Sequence, residues 1–169
     1  RVIHADETVL QVLKEEGKSP ASESRMWVYA SSGRCETQIR CFEYHDNRAG
    51  QCARDFLDGF RGILITDGYS GYNKVPEIVR AGCWAHVRRK WHEAMPKDAK
   101  PRNSKAVQGY EHCNRLFALE RAFEGMSDDE RQRARREKSV PILKEYWAWL
   151  DTVRNPSNKL KEAVTYARN

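Results

Sequence analysis

Long apolar runs and paired cysteines are both missing from this sequence of 169 residues. No apolar run reaches the roughly 20 residues that a membrane-spanning helix needs, and no signal-peptide pattern opens the chain. The cysteines number five, an odd count, and none of them forms a CxxC pair. That pattern argues against a disulfide framework and predicts reduced thiols in a cytoplasmic protein. Internal repeats and low-complexity tracts are absent as well.

The composition is that of a globular chain with a highly charged surface. Hydrophobic residues make up 40% of the chain and charged residues 32%, and the length suffices for one domain with a core and a helical appendage. The formal net charge is +6, and the sequence pI is about 9.1. A basic balance favours a polyanionic partner. Because 24 acidic residues dilute the positive charge, an ordinary basic surface stays open as the alternative.

The hydrophobic pattern predicts strands and helices in the order β-β-β-α-β-α-β, followed by helices alone. The predicted segments, in chain order, are strands at 2–13, 26–30 and 37–44, a helix at 49–60, a strand at 63–67, a short helix at 73–81, a strand at 83–87 and helices from 103 onward. Three strands in a meander followed by parallel crossover strands make a mixed sheet with helices on its faces. This is the order of the ribonuclease-H-like fold. We expect a core at residues 1–95 and an all-helical region at 96–169.

Two aspartates occupy positions in this sheet where chemistry is possible. Asp6 lies within the first strand and Asp67 ends the fourth. In the predicted topology these strands are neighbours, so the two carboxylates come together. Carboxylates held close repel one another, and a divalent cation such as Mg²⁺ or Mn²⁺ removes that cost. The alternative is that Asp67 only opens an Asp-Gly turn and that Asp6 has no role shared with it.

Four motifs occur in one order along the chain. They are His4-Ala5-Asp6-Glu7-Thr8, Trp27-Val28-Tyr29, Thr66-Asp67-Gly68-Tyr69-Ser70-Gly71-Tyr72 and Cys83-Trp84-Ala85-His86-Val87-Arg88-Arg89-Lys90. Together they resemble the DDE transposase domain of the insertion-sequence-66 family of bacterial mobile elements. The resemblance is firmest over residues 2–92. From 103 onward it is less distinctive, and it implies that the helical region at 96–169 is the family's helical insertion, which precedes the last catalytic helix.

The resemblance implies a transposase that cuts and joins DNA with divalent metal ions, Mg²⁺ or Mn²⁺. It carries the roles of the first two catalytic carboxylates to Asp6 and Asp67, each as a metal ligand. The family's third catalytic residue is a glutamate in an Asn-rich motif past the insertion, and this sequence has no such motif. Glu7 is a poor substitute, because neighbouring strand residues point to opposite faces. We therefore expect a fragment of a longer protein that is inactive alone.

The motif from Cys83 to Lys90 allows two interpretations. Cys83 and His86 could form half a zinc site, completed by Cys41 with His45 or by His92, but no second pair has suitable spacing. The family resemblance instead implies that His86 lies near the active site and that Arg89 contacts DNA phosphates. Together with its neighbours Arg88 and Lys90, this residue is our predicted DNA-binding cluster. A hydrogen-bonded histidine at a strand end remains the alternative for His86.

Further basic residues extend this pattern. They are Lys97, Lys100, Arg102 and Lys105, and a run from Arg131 to Lys138. Phosphate contacts by such residues would give salt-dependent affinity, although a solvated helix face is the better explanation of the run at 131–138. Trp147 and Trp149 are two residues apart, so one of them can be exposed and form a partner surface. The partner expected there is another transposase subunit, giving a homo-oligomer on DNA.

Two other functions remain open at this stage. A nuclease of the same fold would use Asp6 and Asp67 for hydrolysis alone. A non-catalytic module for DNA binding or assembly would need neither carboxylate for chemistry.

Overall fold

The computed structural model describes residues 1–96 and 104–169. The chain divides into two compact units, Arg1–Cys83 and Trp84–Asn169. The sequence predicted a division between residues 95 and 96 instead, and this domain boundary stays a prediction. None of the helices in the described ranges has the length and apolar character needed to cross a membrane.

The first unit contains a mixed five-stranded sheet, which confirms the predicted fold class. The strands are β1 (Val2–Gln11), β2 (Glu23–Ser31), β3 (Arg40–His45), β4 (Gly62–Thr66) and β5 (Ile78–Gly82). They lie in the order β3-β2-β1-β4-β5. β1 to β3 form an antiparallel meander, whereas β4 pairs in parallel with both β1 and β5. The structure is consistent with a ribonuclease-H-like fold.

Helix α1 (Gly50–Phe56) connects β3 to β4 and covers one face of the sheet. Its apolar residues recur at helical spacing, and Cys52, Ala53 and the following Leu57 are buried. They join a core with Trp27 and Leu64, both fully buried, from the inward face of the strands. The predicted packing of this helix on the sheet is therefore confirmed.

Two predicted segments differ in the structure. Residues 73–81 were predicted as a helix, but a 3-10 turn (Ser70–Lys74) is followed by strand β5. Glu77, after Pro76, has a φ of 57° and breaks the helical path, and the β-branched Ile78 and Val79 then favour a strand. Residues 83–87 were predicted as the fifth strand, but they begin helix α2 (Trp84–Glu93).

The second prediction failed because a short apolar run fits either a strand or a buried helix. Trp84, Val87 and Trp91 follow helical spacing, and all three contribute to a second core. The preceding strand at 63–67 and the break after Gly82 did not show whether residues 83–87 follow the two-residue period of a strand or the 3.6-residue period of a helix.

Among its described residues, the second unit contains helices joined by short turns and no strand. After α2 it contains α3 (Lys105–Ala122), α4 (Asp128–Ala134), α5 (Val140–Thr152) and α6 (Asn158–Arg168). A π-helical turn (Arg135–Ser139) joins α4 to α5. The predicted capping box is present at α4, where Ser127 accepts a hydrogen bond from the backbone N–H of Glu130 and the Glu130 side chain accepts one from the Ser127 N–H.

The second core is built around Trp91, which is fully buried. Its Nε1 donates to the hydroxyl of Tyr146 at 3.1 Å. α3 approaches this ring so closely that a Cβ at Gly109 would lie 2.4 Å from the Trp91 indole. Gly109 is therefore required by contact between α2 and α3.

We predict that Gly109→Ala destabilises the protein, because its methyl group cannot fit against the buried indole. In an open helix position the same change stabilises by about 0.5–1 kcal/mol, whereas overpacking here should cost about 1–3 kcal/mol. Urea unfolding followed by tryptophan fluorescence measures the difference. Gly33→Ala is the control, since a Cβ added at Gly33 would meet no atom within 4 Å. A stabilised Gly109→Ala protein would show that the close approach does not exist.

An ion-pair cluster connects α3 to the turn after α4. Glu120 accepts hydrogen bonds from Arg135 at 2.7 Å and from Arg131. The hydrogen bond from Arg135 is the main cause that lowers the pKa of Glu120 to about 2, with Arg131 adding to it against the opposing effect of burial. Because the folded-state pKa lies below the ordinary value of 4.5, the ionised carboxylate stabilises the fold at neutral pH.

We predict that Glu120→Gln lowers stability at pH 7 and that its deficit shrinks as the pH falls from 4.5 towards 2. Over that range the wild-type carboxylate takes up a proton and loses the advantage of its lowered pKa. Thermal unfolding of both proteins across this pH range is the measurement. Glu124→Gln, on a neighbouring exposed residue, serves as control. A deficit independent of pH would show that the charge of Glu120 is not responsible.

Candidate active site

The register of β1 and β4 brings the two predicted aspartates to one level. His4 pairs with Ile65 in the parallel ladder, and Asp6 and Asp67 each follow two residues later. Neighbouring strands lie about 4.8 Å apart, so the two backbones are adjacent at the edge where β4 ends. Asp6 is exposed, and the Asp67 side chain is 20% exposed. Both carboxylates are thus accessible at this edge.

Glu7 faces the opposite side of β1 from Asp6, as predicted, and there it is buried. Its side chain is only 1% exposed. Oε1 accepts hydrogen bonds from Nε of Arg48 at 2.7 Å and from Nη2 of the same residue. Oε2 accepts from the hydroxyl of Tyr72 at 2.6 Å. Both oxygens of this carboxylate are therefore satisfied inside the protein, as a buried charge requires.

Arg48 connects buried Glu7 to Asp67. The guanidinium lies over the ring of Tyr69, 4.1 Å from its centroid, and its Nη2 lies 3.8 Å from Oδ2 of Asp67. Burial acts to lower the pKa of Arg48, but the hydrogen bond and the charge of Glu7 outweigh it and raise the pKa. Arg48 is thus a permanent cation between two carboxylates, and its side chain is still 42% exposed.

The pKa of the Tyr72 hydroxyl is raised by its burial and by the negative charges at this edge. Tyr72 is fully buried, and burial is the main cause that raises the pKa of its hydroxyl. The hydrogen bond to Glu7 and the charges of Glu7, Asp67 and Asp6 raise the pKa further. Burial and these negative charges all favour the neutral hydroxyl. Tyr72 therefore serves as a hydrogen-bond donor to Glu7 throughout the physiological pH range.

The segment after Asp67 is fixed by contacts on two sides. The backbone N–H of Tyr69 donates to Oδ1 of Asp67 at 2.8 Å, which closes the Asp-Gly turn. On the helix side, the Tyr69 hydroxyl donates to the carbonyl of Arg48. A Cβ at Gly50 would lie 2.3 Å from the carbonyl oxygen of Gly71. The start of α1 and this turn therefore pack backbone to backbone.

Arg80, on β5, holds the same turn from the other side. Nε donates to Oγ1 of Thr66 at 3.0 Å, and Nη2 donates to the carbonyls of Asp67 and Tyr69 at 2.7 and 2.8 Å. Nη1 donates to Oδ1 of Asn73. One guanidinium thus binds four acceptors before and after Asp67, so the position of the aspartate is set by β5 as well as by β4.

The donors at this edge fit a divalent cation of the magnesium type. The carboxylates of Asp6, Glu7 and Asp67 lie at this edge with the guanidiniums of Arg48 and Arg80, which leaves a formal excess of negative charge. Mg²⁺ is commonly held by one or two carboxylates, with waters and substrate phosphates completing its shell. Within residues 1–96 and 104–169, no group of three or more His, Cys, Asp or Glu side chains is arranged to hold a metal ion. A site in which two carboxylates hold the ion and waters or phosphates complete its shell fits a cation of this type.

The family comparison decides what kind of domain carries this edge. The family described as "Transposase IS66 family" matches residues 1–169. The chain belongs to the IS66 transposase family.

Similar curated proteins come from Sinorhizobium fredii (strain NBRC 101917 / NGR234). "Uncharacterized protein y4qI" is 30% identical, with 98% of this chain and 33% of the relative covered. "Uncharacterized protein y4hP" is 26% identical, with 96% and 32% covered. This IS66-family chain thus spans about a third of the length of these relatives. No solved structure matches it.

The DNA-binding residues predicted for this IS66-family chain lie on α2, in the second unit. The guanidinium of Arg88 donates to Oδ1 of Asn114 at 2.6 Å and to the hydroxyl of Tyr110, so it is already engaged with α3. Arg89 is exposed, and Nζ of Lys90 lies 3.2 Å from a Glu93 oxygen.

The other predicted residues are His86 and the further basic residues of the chain. His86 is half-buried on the same helix, rather than at a strand end. Lys97, Lys100 and Arg102 lie outside the described residues. In the basic run at 131–138, Arg131 and Arg135 are held by Glu120.

Four of the residues that build the site were not predicted from the sequence. Glu7 was set aside because it faces away from Asp6, and Arg48, Tyr72 and Arg80 were not considered. One signal was present, since a charged pair inside a strand requires a partner for whichever residue faces the core. Arg48 could not be recognised as that partner, because the contact spans 41 positions of the chain.

We predict that Arg80→Met destabilises the first unit by about 1–3 kcal/mol, because buried acceptors around Asp67 lose their donors. Arg61→Met is the matched control, since Arg61 pairs with Glu77 on the surface with side chains 74% and 60% exposed. Such a pair contributes about 0–1 kcal/mol. Urea unfolding gives the free energies, and hydrogen exchange of the Tyr69 amide reports the local effect. Equal costs for the two variants would contradict the role of Arg80.

Proposed function

We propose that the chain forms the catalytic core of a DNA transposase, which cleaves DNA and transfers the cut strand in a metal-dependent reaction. The observation that carries this proposal is the placement of Asp6 on β1 and of Asp67 directly after the neighbouring parallel strand β4, within a chain of the IS66 family. Ligands of open α/β sheets bind at the carboxyl ends of the strands. The proposed cellular setting is the bacterial cytoplasm, on nucleoid DNA.

In this mechanism Asp6 and Asp67 act as ligands of Mg²⁺ or Mn²⁺, rather than as general bases. The bound metal supplies activation of the attacking oxygen and stabilisation of charge at phosphorus. The Tyr69 amide and Arg48 orient the two oxygens of Asp67. Water or a DNA 3′-hydroxyl displaces the leaving oxygen at phosphorus, and the protein forms no covalent bond with DNA.

DNA would be held by basic side chains that bind its phosphates. Arg89 is the best placed of the predicted cluster because it is exposed. Arg88 would have to give up its contacts with α3 to bind a phosphate, and Lys90 would have to leave Glu93. Trp147, a residue 44% exposed, is the proposed contact for a second transposase subunit on DNA.

The third carboxylate of the reaction is proposed to come from outside this sequence. Asp6 and Asp67 are then two of three metal-binding residues, and this chain alone has little or no strand-transfer activity.

A non-catalytic module for DNA binding or assembly is the second candidate. It is favoured by the lack, among the residues the structure describes, of a group of three metal-ligating side chains. Metal binding separates the two candidates, because only the catalytic core needs the carboxylates of Asp6 and Asp67 as ligands. A nuclease of the same fold would share that metal site and would differ by giving hydrolysis products without strand transfer.

We predict that Mn²⁺ or Mg²⁺ binds this chain weakly and that Asp67→Asn reduces the affinity by about tenfold or more, because one of two charged ligands is lost. Asp6→Asn should have a similar effect. Calorimetric titration measures both. Asp58→Asn is the control, since Asp58 is exposed near the end of α1. Binding that is unchanged in both site variants would remove the support for a metal site and favour the non-catalytic module.

A further inference from the structure

The pairing of Arg48 with Glu7 leaves one nitrogen of the guanidinium, Nη1, unused. Its Nε and Nη2 donate to Oε1 of Glu7, and Nη2 faces Oδ2 of Asp67. Among the residues that the structure describes, no hydrogen bond engages Nη1 of Arg48. Because the side chain is 42% exposed, the two N–H groups of this nitrogen are available to a ligand from solvent.

The guanidinium is also held in a fixed orientation. Buried Glu7 binds one edge of it, the Tyr69 ring covers one face at 4.1 Å, and the Tyr69 hydroxyl binds the backbone carbonyl of Arg48. Ordering a free arginine on binding costs conformational entropy, whereas an arginine already fixed loses little. Little conformational entropy is therefore lost when this side chain binds an anion, because folding has already ordered it.

The position of Arg48 selects the kind of anion. Asp67 lies 3.8 Å from Nη2, so an anion bound at Nη1 lies at the same edge as the proposed metal ligands. Without a cation, the excess of negative charge repels an anion from this edge. With a divalent cation bound, that excess is outweighed and Arg48 can attract an anion. This coupling is expected for a phosphate that bridges the metal ion and the guanidinium.

We propose that Arg48 is a phosphate-binding residue of the active site, whose Nη1 donates to a DNA phosphodiester beside the metal ion bound by Asp6 and Asp67. This inference rests on the proposed function and deepens it by naming a DNA contact in the first unit. The cluster at Arg88, Arg89 and Lys90 belongs to the second unit. Glu7 is then a positioning residue, which acts through Arg48 without touching DNA.

The test is DNA binding by fluorescence anisotropy, with a labelled duplex, in Mg²⁺ and again in EDTA. In Mg²⁺, Arg48→Gln should weaken binding by about tenfold, since a charge-assisted contact to phosphate is lost. The slope of log affinity against log salt concentration should fall by about 0.9, the value for one phosphate contact. In EDTA the variant and the wild type should bind alike. Arg54→Gln, an exposed arginine on the same helix, is the control and should change neither quantity.

Arg48→Gln leaves Glu7 without its partner and can unfold the chain. In that case Arg48→Lys is the variant that tests the proposal. The lysine retains a charge for Glu7 but lacks the fork of donors, so it should fold and still bind DNA several-fold less tightly in Mg²⁺. Circular dichroism establishes that each variant is folded. Folded variants with wild-type affinity and salt slope in Mg²⁺ would overturn the proposal, and so would wild-type protein that binds no DNA.

The metal titration of Asp67→Asn separates this failure from failure of the proposed function. Metal binding that depends on Asp67, together with unchanged DNA binding in the Arg48 variants, would leave the transposase core standing and remove only the role of Arg48. Loss of both results would remove the two proposals together.

Discussion

The parallel pairing of β1 with β4 is the constraint on which the candidate site depends. It is a short ladder, from Val2 with Ile63 to His4 with Ile65, and a change of register by one residue would move Asp6 out of level with Asp67. The register is secured from the core side, because Ala5 and Leu64 are buried under α1 while Asp6 stays outside. Hydrophobic burial therefore fixes the relative position of two polar residues that contribute nothing to the core themselves.

The sequence predicted the sheet well because its strongest signals were periodic. The meander, the helix stripe from Cys52 to Leu57 and the apolar strand at Ile63–Ile65 follow from hydrophobic spacing alone. The topology that makes β1 and β4 neighbours then follows from the order of elements. Asp6 and Asp67 could be placed at one edge for that reason, and the structure has them at the same level.

The prediction failed where the local signal was short. The five residues Ile78–Gly82 contain a strand that pairs with β4, yet Pro76 favoured the first turn of a helix. Cys83–Val87 is equally short. The contacts of Trp84 and Val87 with the second core are what distinguish a helix from a strand here. These assignments depend on contacts between distant parts of the chain, which no local pattern contains.

The contacts around the two aspartates were beyond prediction for a different reason. Glu7, Arg48 and Tyr72 are a polar network joined across 65 positions of the sequence between Glu7 and Tyr72. Polar side chains on a surface and in a network have the same local sequence pattern, so nothing marks them until the fold brings them together. The single cue was a carboxylate on the inward face of a strand.

The contacts of Asp67 bear on function, because they hold one of the two proposed metal ligands in place. Asp67 is fixed by the Tyr69 amide, by Arg48 and, through its own carbonyl, by Arg80. A metal ion that binds there loses little entropy in ordering this side chain. The position of a metal ion at this edge would therefore follow from the turn after β4, which contacts from α1 and from β5 already hold.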